Sequence, residues 1–342
     1  MTDVAGRLGP VIRLAPAKIN LTLAVVGRRA DGFHDLHSVF VPLDLADVLS
    51  LAAAGPGRGD TLHVSGRETG PVAENLVLRG IAAARAAVGE GPGRPPTPAL
   101  AARLDKRIPV AAGLGGGSSD GAAAFDGALE AWAGRDHVDP ERRWSAAARI
   151  GSDVPFFLAG GPALVEGRGD RVTTFPHIVG EAGVLLVTPR IAMRTPDVFA
   201  TFAATRGSGD GSVRMTSQHL AQELAGGMTS ADLVTRAGVL AVANDLLASA
   251  AIVEPGLVPV RRAVMRTLGR PVGLSGSGPT LWTLYASRSE ADGAAATLAA
   301  AIADGRVPAL GGGPPEVIAT TIRARGEPDP QPRPAADKER RS

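Results

Sequence analysis

Residues 109–120 have the sequence Pro109-Val110-Ala111-Ala112-Gly113-Leu114-Gly115-Gly116-Gly117-Ser118-Ser119-Asp120. A helical pattern follows, with Phe125, Leu129 and Trp132 at spacings of four and three residues before Gly134. A glycine-rich loop that leads into a helix N-terminus suits an anion, because bare backbone N–H groups and the helix dipole both favour negative charge. We therefore predict that the phosphates of a nucleotide bind this loop and that Ser119 is the N-cap of the helix.

Two other glycine-rich signatures do not fit this loop. A Walker A loop ends in Gly-Lys-Ser/Thr, and no lysine follows Gly117. The dinucleotide signature G-x-G-x-x-G would need a glycine at the position of Ser118. A tight turn without a ligand remains the structural alternative for the loop taken alone.

The composition is that of an ordinary globular protein with one large or two medium domains in 342 residues. The 36 basic and 34 acidic side chains nearly balance, so nucleic acid is not an expected partner. The chain has no cysteine, which excludes disulfides, thiolate catalysis and cysteine-ligated zinc.

No targeting or membrane-spanning segment is expected. The first twenty residues contain Asp3, Arg7, Arg13 and Lys18 and lack the apolar core of a signal peptide. The most apolar later stretch, 239–253, is interrupted by Asn244 and Asp245 and is too short for a bilayer. We expect a cytoplasmic protein that is a monomer or a weak homodimer.

Hydrophobic periodicity predicts the order of the elements. Strands are predicted at 19–26, 36–43, 48–51, 61–64, 100–104, 183–187, 272–275, 280–285 and 316–323. Helices are predicted at 75–88, 141–150, 196–205, 217–225, 239–251, 255–268 and 289–303. The strand–strand–helix–strand order at the end predicts an α+β second domain with an antiparallel sheet. We place the domains at 1–182 and 183–325, with a disordered, charged and proline-rich tail at 326–342.

Lys18 and Asp153 could together catalyse phosphoryl transfer to an alcohol. Lys18 heads an apolar strand, and Asn20 points to the same side two residues later. Asp153 follows Gly-Ser and precedes bulky apolar residues. The reaction needs an acceptor for the hydroxyl proton and positive charge beside the migrating group, and an Asp–Lys pair supplies both. Singly, Lys18 could be a solvated surface lysine and Asp153 a turn cap.

A second glycine- and serine-rich loop, 273–280, joins two predicted strands. Its glycines could simply permit a tight hairpin, or could let the backbone approach a bound substrate closely.

Five motifs follow one another along the chain. They are Ala15-Pro16-Ala17-Lys18-Ile19-Asn20-Leu21, Arg29-Ala30-Asp31-Gly32-Phe33-His34-Asp35-Leu36, Gly113 to Ser119, Asp153-Val154-Pro155-Phe156 and Ser275-Gly276-Ser277-Gly278. Together they resemble the GHMP kinase superfamily, and within it the family of 4-diphosphocytidyl-2-C-methyl-D-erythritol kinases. The similarity runs from about residue 14 to 286. Its specific part is Asp31-Gly32-Phe33-His34, which other superfamily kinases lack.

The resemblance implies the two-domain α+β GHMP kinase fold, with a ribosomal-protein-S5-domain-2-like N-terminal domain and a ferredoxin-like C-terminal domain. It implies ATP and Mg²⁺ as cofactors and a cytidyl diphosphate sugar alcohol as the small-molecule substrate. Lys18 and Asp153 match the catalytic pair, with Asp153 as the base toward the 2-hydroxyl. The positions that match the ATP site are Asn75, Leu76, Lys106, Pro109, Val110, Ala111, Ala112, Gly113, Leu114, Gly115, Gly116, Gly117, Ser118 and Ser119. No metal ligand is assigned.

The positions that match the substrate site are Asn20, Phe33, His34, Phe199, Gly276, Ser277 and Gly278. Phe33 stands where the family usually has Tyr. The phenylalanine keeps a stacking face but lacks the tyrosine hydroxyl. By the resemblance, Phe33 and Phe199 cover the two faces of the cytosine and His34 reads its polar edge. Gly276 to Gly278 close over the substrate and the γ-phosphate.

The sequence therefore predicts a kinase for 4-diphosphocytidyl-2-C-methyl-D-erythritol in the non-mevalonate route to isoprenoid precursors. One alternative is another GHMP kinase, such as a mevalonate or homoserine kinase, against which Asp31 to His34 argue. The other is a nucleotide-binding protein without catalysis, against which the presence of both Lys18 and Asp153 argues.

Overall fold

The computed structural model describes residues 10–89, 91–93, 95–133, 135–205, 209 and 211–323. The predicted tail at 326–342, and Gly134 at the predicted end of the loop helix, lie outside these residues.

The larger sheet contains seven strands within the described ranges. They are β1 (Val11–Asn20), β2 (Ala24–Arg28), β3 (His34–Ala53), β4 (Thr61–Gly66), β5 (Leu100–Lys106), β6 (Ala163–Gly167) and β7 (Arg171–Thr174). The long strand β3 is its centre, because β1, β2, β5 and β6 all pair with it in antiparallel register. Strand β4 pairs in parallel with β5, and β7 pairs with β6.

The smaller sheet is antiparallel, as the element order predicted. Its strands are β8 (Gly183–Thr188), β9 (Gly273–Leu274), β10 (Leu281–Tyr285) and β11 (Glu316–Thr321), in the order β11-β8-β10-β9. A backbone bridge between Leu43 and Ile322 links the two sheets. The bridge joins β3 to the residue that follows β11.

Helices cover both sheets. They are α1 (Leu76–Val88), α2 (Gly116–Ala131), α3 (Pro140–Ile150), α4 (Val154–Ala159), α5 (Thr195–Thr205), α6 (Gly211–Ala225), α7 (Ser230–Thr235), α8 (Ala237–Leu240), α9 (Leu247–Val253), α10 (Leu257–Leu268) and α11 (Arg288–Ala303), with 3₁₀ turns at Val72–Glu74 and Arg135–His137. Along these described ranges, no helix combines the length and apolarity needed to cross a membrane.

Helix α2 is packed tightly against α1, which fixes the loop before it. A Cβ at Gly80 would lie 2.5 Å from the Gly121 carbonyl oxygen, so the two helices approach at a contact that excludes a side chain. The core below them includes Phe125 and Leu129, both fully buried. The predicted apolar face of this helix is therefore its packing face.

Three local predictions were wrong. Helix α2 begins after Gly115, which is its N-cap in the left-handed conformation, and Ser119 lies one turn inside the helix. The predicted helix over 239–251 is divided into α8 and α9, because Asn244 between them makes hydrogen bonds to other segments. The predicted strand over 19–26 is interrupted after Asn20, where Leu23 bridges instead to Asn244.

The strands predicted at 36–43 and 48–51 are parts of one strand, β3. The gap left between the two predicted strands contains Asp44 and Asp47. The Asp47 side chain is fully buried and is paired with Lys106 and two backbone N–H groups, so a carboxylate is accommodated inside the strand.

Candidate active site

A cavity of about 600 Å³ is formed where the glycine-rich loop, the end of β1 and the loop between β9 and β10 meet. The predicted site residues that line it are Lys18, Asn20, Asn75, Leu76, Lys106, residues 109–118, Asp153, Phe199, Gly276 and Ser277. Four others, Phe33, His34, Ser119 and Gly278, lie outside this lining. The structure thus gathers side chains separated by up to 259 positions (from 18 to 277) around one cavity of ligand size.

The glycine-rich loop ends at the N-terminus of α2. Gly115 has φ of +70°, and its carbonyl accepts the Ser119 N–H at 3.0 Å, which is the first helical hydrogen bond. The N–H groups of the first turn of α2, before Ser119, have no hydrogen-bond partner inside the helix. They are free to bind an anion. A Cβ at Gly115 would lie 3.0 Å from Lys18 Cγ and 2.9 Å from the Phe157 ring. Glycine at this position therefore lets the helix N-terminus approach Lys18.

The loop before β10 is in direct contact with the glycine-rich loop. The Ser275 hydroxyl donates to the Gly113 carbonyl at 2.9 Å. Gly113 has φ of +76°, and a Cβ there would lie 2.4 Å from the Ser275 carbonyl oxygen. Residues 273–280 are therefore more than a hairpin turn, because their loop meets the glycine-rich loop at the cavity.

Lys18 and Asp153 lie together on the cavity wall. The Lys18 ammonium is 3.8 Å from Asp153 Oδ2, donates to Asn20 Oδ1 at 2.7 Å and lies 4.6 Å from the centre of the Phe40 ring. Lys18 is almost fully buried, whereas the Asp153 side chain is 29% exposed toward the cavity. Burial lowers the pKa of Lys18, and the Asp153 charge opposes that shift. The carboxylate is thus open to a ligand, and the ammonium is held beside it.

Lys106 lies in a buried cluster with two carboxylates. Its ammonium is 2.5 Å from Asp47 Oδ2 and 2.6 Å from Asp120 Oδ2. Asp47 also accepts the backbone N–H groups of Arg107 and Ile108, at 2.6 and 2.8 Å. The cluster therefore fastens both ends of the glycine-rich loop to β3, since 106–108 precede the loop and Asp120 lies in the first turns of α2. Lys106 also borders the cavity.

Burial raises the pKa of Asp120 to about 8, and the nearby Asp47 charge adds to the shift while Lys106 opposes it. Asp120 therefore stabilises the fold as the protonated acid. That contribution is complete below the unfolded value of 3.8 and is lost as the pH rises to about 8.

Asp120→Asn is expected to remove this pH dependence, because the amide stays neutral. The variant should gain stability relative to the unsubstituted chain between pH 5 and 8, by at most about 1.4 kcal/mol per pH unit. Urea unfolding at pH 5, 6, 7 and 8 measures the difference. Asp292→Asn, at a half-exposed surface carboxylate, is the matched control. If the difference in unfolding free energy between the variant and the unsubstituted chain does not change with pH, the raised pKa of Asp120 is contradicted.

The aromatic side chains predicted to bind a base have an unexpected arrangement. The His34 ring stacks on Phe199, with centroids 5.1 Å apart and planes at 26°, and meets the edge of Phe202. Phe33 is half exposed. His34 Nε2 is buried without a hydrogen-bond partner among the described residues, and burial and the Arg28 charge lower the pKa of the ring. A neutral imidazole with an unused nitrogen therefore covers the face of Phe199.

Sequence reasoning missed several residues of this site. Asn244 is buried and donates to the carbonyls of Leu274 and Gly276 at 3.0 and 2.9 Å, which fixes the loop before β10. The signal was its position as a polar residue inside an apolar stretch. Arg194 borders the cavity with an exposed side chain. No pattern in the sequence indicated it.

Residues 75–161 match the family described as GHMP kinases N terminal domain. A 4-diphosphocytidyl-2-C-methyl-D-erythritol kinase of Sinorhizobium medicae (strain WSM419) is 36% identical over 293 residues, which are 84% of this chain and 90% of that protein. A relative with the same name from Rhodopseudomonas palustris (strain ATCC BAA-98 / CGA009) is 37% identical over 289 residues, 84% of this chain and 92% of that protein.

Solved structures agree with these matches. A crystal structure of 4-(cytidine 5'-diphospho)-2C-methyl-D-erythritol kinase has a TM-score of 0.63 and 29% identity, and the match covers 92% of this chain and all of that one. A mevalonate kinase of Methanococcus jannaschii also has a TM-score of 0.63, with 11% identity over 92% of this chain and 99% of that one. The second likeness shows the common fold alone.

Proposed function

This chain belongs to the family of 4-diphosphocytidyl-2-C-methyl-D-erythritol kinases, and from that membership we propose that it transfers the γ-phosphoryl group of ATP to the 2-hydroxyl of 4-diphosphocytidyl-2-C-methyl-D-erythritol. The chain is an ATP-dependent small-molecule kinase with the two-domain α+β GHMP kinase fold. The product is the 2-phosphate, an intermediate of the non-mevalonate route to isoprenoid precursors.

The observation that carries the proposal is the position of Asp153. Its partly exposed carboxylate lies 3.8 Å from the Lys18 ammonium in the cavity that the glycine-rich loop borders. Asp153 accepts the proton of the 2-hydroxyl while the oxygen of that hydroxyl attacks the γ-phosphorus. The new O–P bond forms, the bond from phosphorus to the β–γ bridging oxygen breaks, and ADP leaves. The Lys18 ammonium stabilises the negative charge on the attacking oxygen.

The phosphates of ATP are assigned to residues 113–119. Gly113, Gly115 and Gly116 each have a neighbouring atom within 3.0 Å of a hypothetical Cβ, so a side chain at these three positions would collide with its surroundings. Ser119 lies one turn inside α2, and its buried hydroxyl has no hydrogen-bond partner among the described residues. Asn75, Leu76 and Lys106 border the end of the cavity assigned to the adenine. The backbone N–H groups of this loop fit a triphosphate.

Mg²⁺ fits this site as an ion held mainly by phosphate oxygens. Among the described residues, no three or more His, Asp or Glu side chains form a metal cage. A Mg²⁺ ion in a kinase site commonly keeps several waters and takes one or two carboxylates plus substrate phosphates. Among the side chains that line the cavity, the Asp153 carboxylate and the Ser118 hydroxyl could contribute. The ion would neutralise charge on the phosphates during transfer.

The cytidine end is assigned to Phe199, His34 and Phe33. Phe199 lines the cavity, and His34 brings an unused buried nitrogen beside it. Cytosine offers a flat face together with a donor and acceptors, so one stacking ring and one neutral imidazole match it. The His34 ring, now against Phe199, is the group that must move or share this face when the base binds. Asn20, Ser277 and the Gly276–Gly278 backbone are assigned to the methylerythritol end.

His34→Ala should raise KM for the cytidyl substrate by at least about tenfold, because the variant loses a hydrogen bond to the base. KM for ATP should change less than about twofold, since His34 lies outside the phosphate loop. Steady-state kinetics with each substrate varied in turn measures both values. His63→Ala, at an exposed position of β4, is the control. Equal increases in both KM values would rule out the base-reading role.

A coupled ADP-release assay tests the proposed reaction. Three acceptors are compared under ATP and Mg²⁺: 4-diphosphocytidyl-2-C-methyl-D-erythritol, mevalonate and homoserine. We expect turnover with the cytidyl substrate alone. Turnover with another acceptor would keep the kinase fold and overturn the specificity. Inactivity with all three would favour a nucleotide-binding protein without catalysis.

We also propose that the domain boundary lies near 182, between the two sheets. Residues 1–182 would then form the ATP-binding domain, and 183–325 the second domain. A monomer or weak homodimer in the cytoplasm completes the proposal, and sedimentation at several concentrations tests its oligomeric part.

A further inference from the structure

A chain of buried hydrogen bonds leads away from Lys18 and ends on the main chain. The Lys18 ammonium donates to Asn20 Oδ1 at 2.7 Å, and Asn20 Nδ2 donates to Ser38 Oγ at 3.0 Å. The Ser38 hydroxyl in turn donates to the carbonyl oxygen of Thr22. All four residues are at most 4% exposed. Water therefore does not compete for these bonds.

The direction of each bond in this chain is fixed by chemistry. A serine hydroxyl has one hydrogen, and in Ser38 it points to the Thr22 carbonyl, which can only accept. Ser38 Oγ is therefore an acceptor for the Asn20 amide nitrogen. The amide oxygen must then face Lys18, whose ammonium can only donate. Both ends of this series of hydrogen bonds, Lys18 and the Thr22 carbonyl, impose the same orientation on the Asn20 amide.

The Thr22 end of the chain is itself anchored. Its hydroxyl accepts the Val39 N–H at 3.1 Å and lies 2.8 Å from Ser217 Oγ on α6. Thr22 is thus held between β3 and α6, and the carbonyl to which Ser38 donates has a fixed position.

We propose that Ser38 is a positioning residue for phosphoryl transfer: its hydroxyl fixes the orientation of the Asn20 amide and, through it, the place of the Lys18 ammonium. The inference rests on the proposed role of Lys18. A lysine side chain has four rotatable bonds, and a misplacement of about 1 Å can cost two orders of magnitude in rate. Of the three ammonium hydrogens, one is committed to Asn20. The others remain for Asp153 and the ligand.

Five variants separate this role from simple packing. Ser38→Ala removes the hydroxyl. Ser38→Thr and Ser38→Val add nearly the same volume to a fully buried position, but only threonine keeps the hydroxyl. Ser249→Ala, at a buried serine in α9, is the control for the loss of a buried hydroxyl elsewhere. Lys18→Met gives the activity that remains without the ammonium.

We expect kcat to fall roughly ten- to a hundredfold in Ser38→Ala and Ser38→Val, with both KM values within about twofold. Ser38→Thr should keep kcat within about threefold, and Ser249→Ala should match the unsubstituted enzyme. Rates are compared at a temperature where circular dichroism shows each variant folded.

Two results would overturn the inference while leaving the proposed function intact: full kcat in Ser38→Ala when Lys18→Met is inactive, or equal losses in Ser38→Thr and Ser38→Val. Near-normal turnover in Lys18→Met would instead remove Lys18 from the mechanism, and the role of Ser38 with it.

Discussion

Asp153→Asn is expected to lower kcat by roughly 10²–10⁴, the usual contribution of a positioned acid–base group. The amide keeps the size of the carboxylate but cannot accept the hydroxyl proton. Because Asp153 lies at the N-terminus of α4 without a side-chain cap hydrogen bond, the substitution should leave the helix intact. ATP affinity should change little, since the phosphates are assigned to the glycine-rich loop.

Rapid-quench kinetics at saturating substrates measures the chemical step in this variant, and calorimetric titration with a nonhydrolysable ATP analogue measures binding. Asp292→Asn, at an exposed carboxylate of α11, is the matched control and should keep normal rates. If Asp153→Asn turns over at a near-normal rate, Asp153 is not the base. If ATP affinity falls as far as kcat does, the residue acts on nucleotide binding instead.

Gly113→Ala should damage both stability and catalysis. Alanine at φ of +76° costs about 1–2 kcal/mol, and its Cβ would lie 2.4 Å from the Ser275 carbonyl and 2.9 Å from the Gly278 carbonyl. Both neighbours are backbone, so one of the two loops must move. Because the phosphates are assigned to this loop, kcat/KM for ATP should fall at least about a hundredfold.

Gly269→Ala separates the effect of backbone strain at positive φ from the effect of displacing a loop. Gly269 also has positive φ, at +60°, but nothing lies within 4 Å of its hypothetical Cβ. That variant should lose about 1 kcal/mol of unfolding free energy and keep its kcat/KM. Urea unfolding and steady-state kinetics on both variants test the contrast. Normal kcat/KM in Gly113→Ala would show that the contact between the two loops is not needed for catalysis.

Local patterns were sufficient for much of the fold. The helix at 75–88 has its asparagine cap, since Asn75 Oδ1 accepts the Val77 N–H at 3.0 Å. The glycines of the loop at 113–117 and the paired Lys18 and Asn20 were visible because each depends on near neighbours in the sequence. The antiparallel second sheet followed from the order of its elements.

The wrong N-cap at Ser119 is a local error, whereas the other failures arise from pairing over long separations. The predicted strands 36–43 and 48–51 are joined through Asp47, whose partner, Lys106, is 59 residues away. The helix predicted over 239–251 is divided near Asn244, because the carbonyls to which its side chain donates lie 30 and 32 residues further on. The relation of His34 to Phe199 depends on how α5 packs against β3. Sequence periodicity carries no information about such contacts.

The most direct test of the central claim is to identify the product by ³¹P NMR after incubation with ATP, Mg²⁺ and 4-diphosphocytidyl-2-C-methyl-D-erythritol. The 2-hydroxyl is on a tertiary carbon, so its phosphomonoester has no carbinol proton to couple with. We predict a new monoester resonance without three-bond carbinol coupling, together with ADP and an intact cytidyl diphosphate. A monoester split by CH or CH₂ protons would place the phosphate on another hydroxyl, and ADP without any new monoester would contradict transfer to this acceptor.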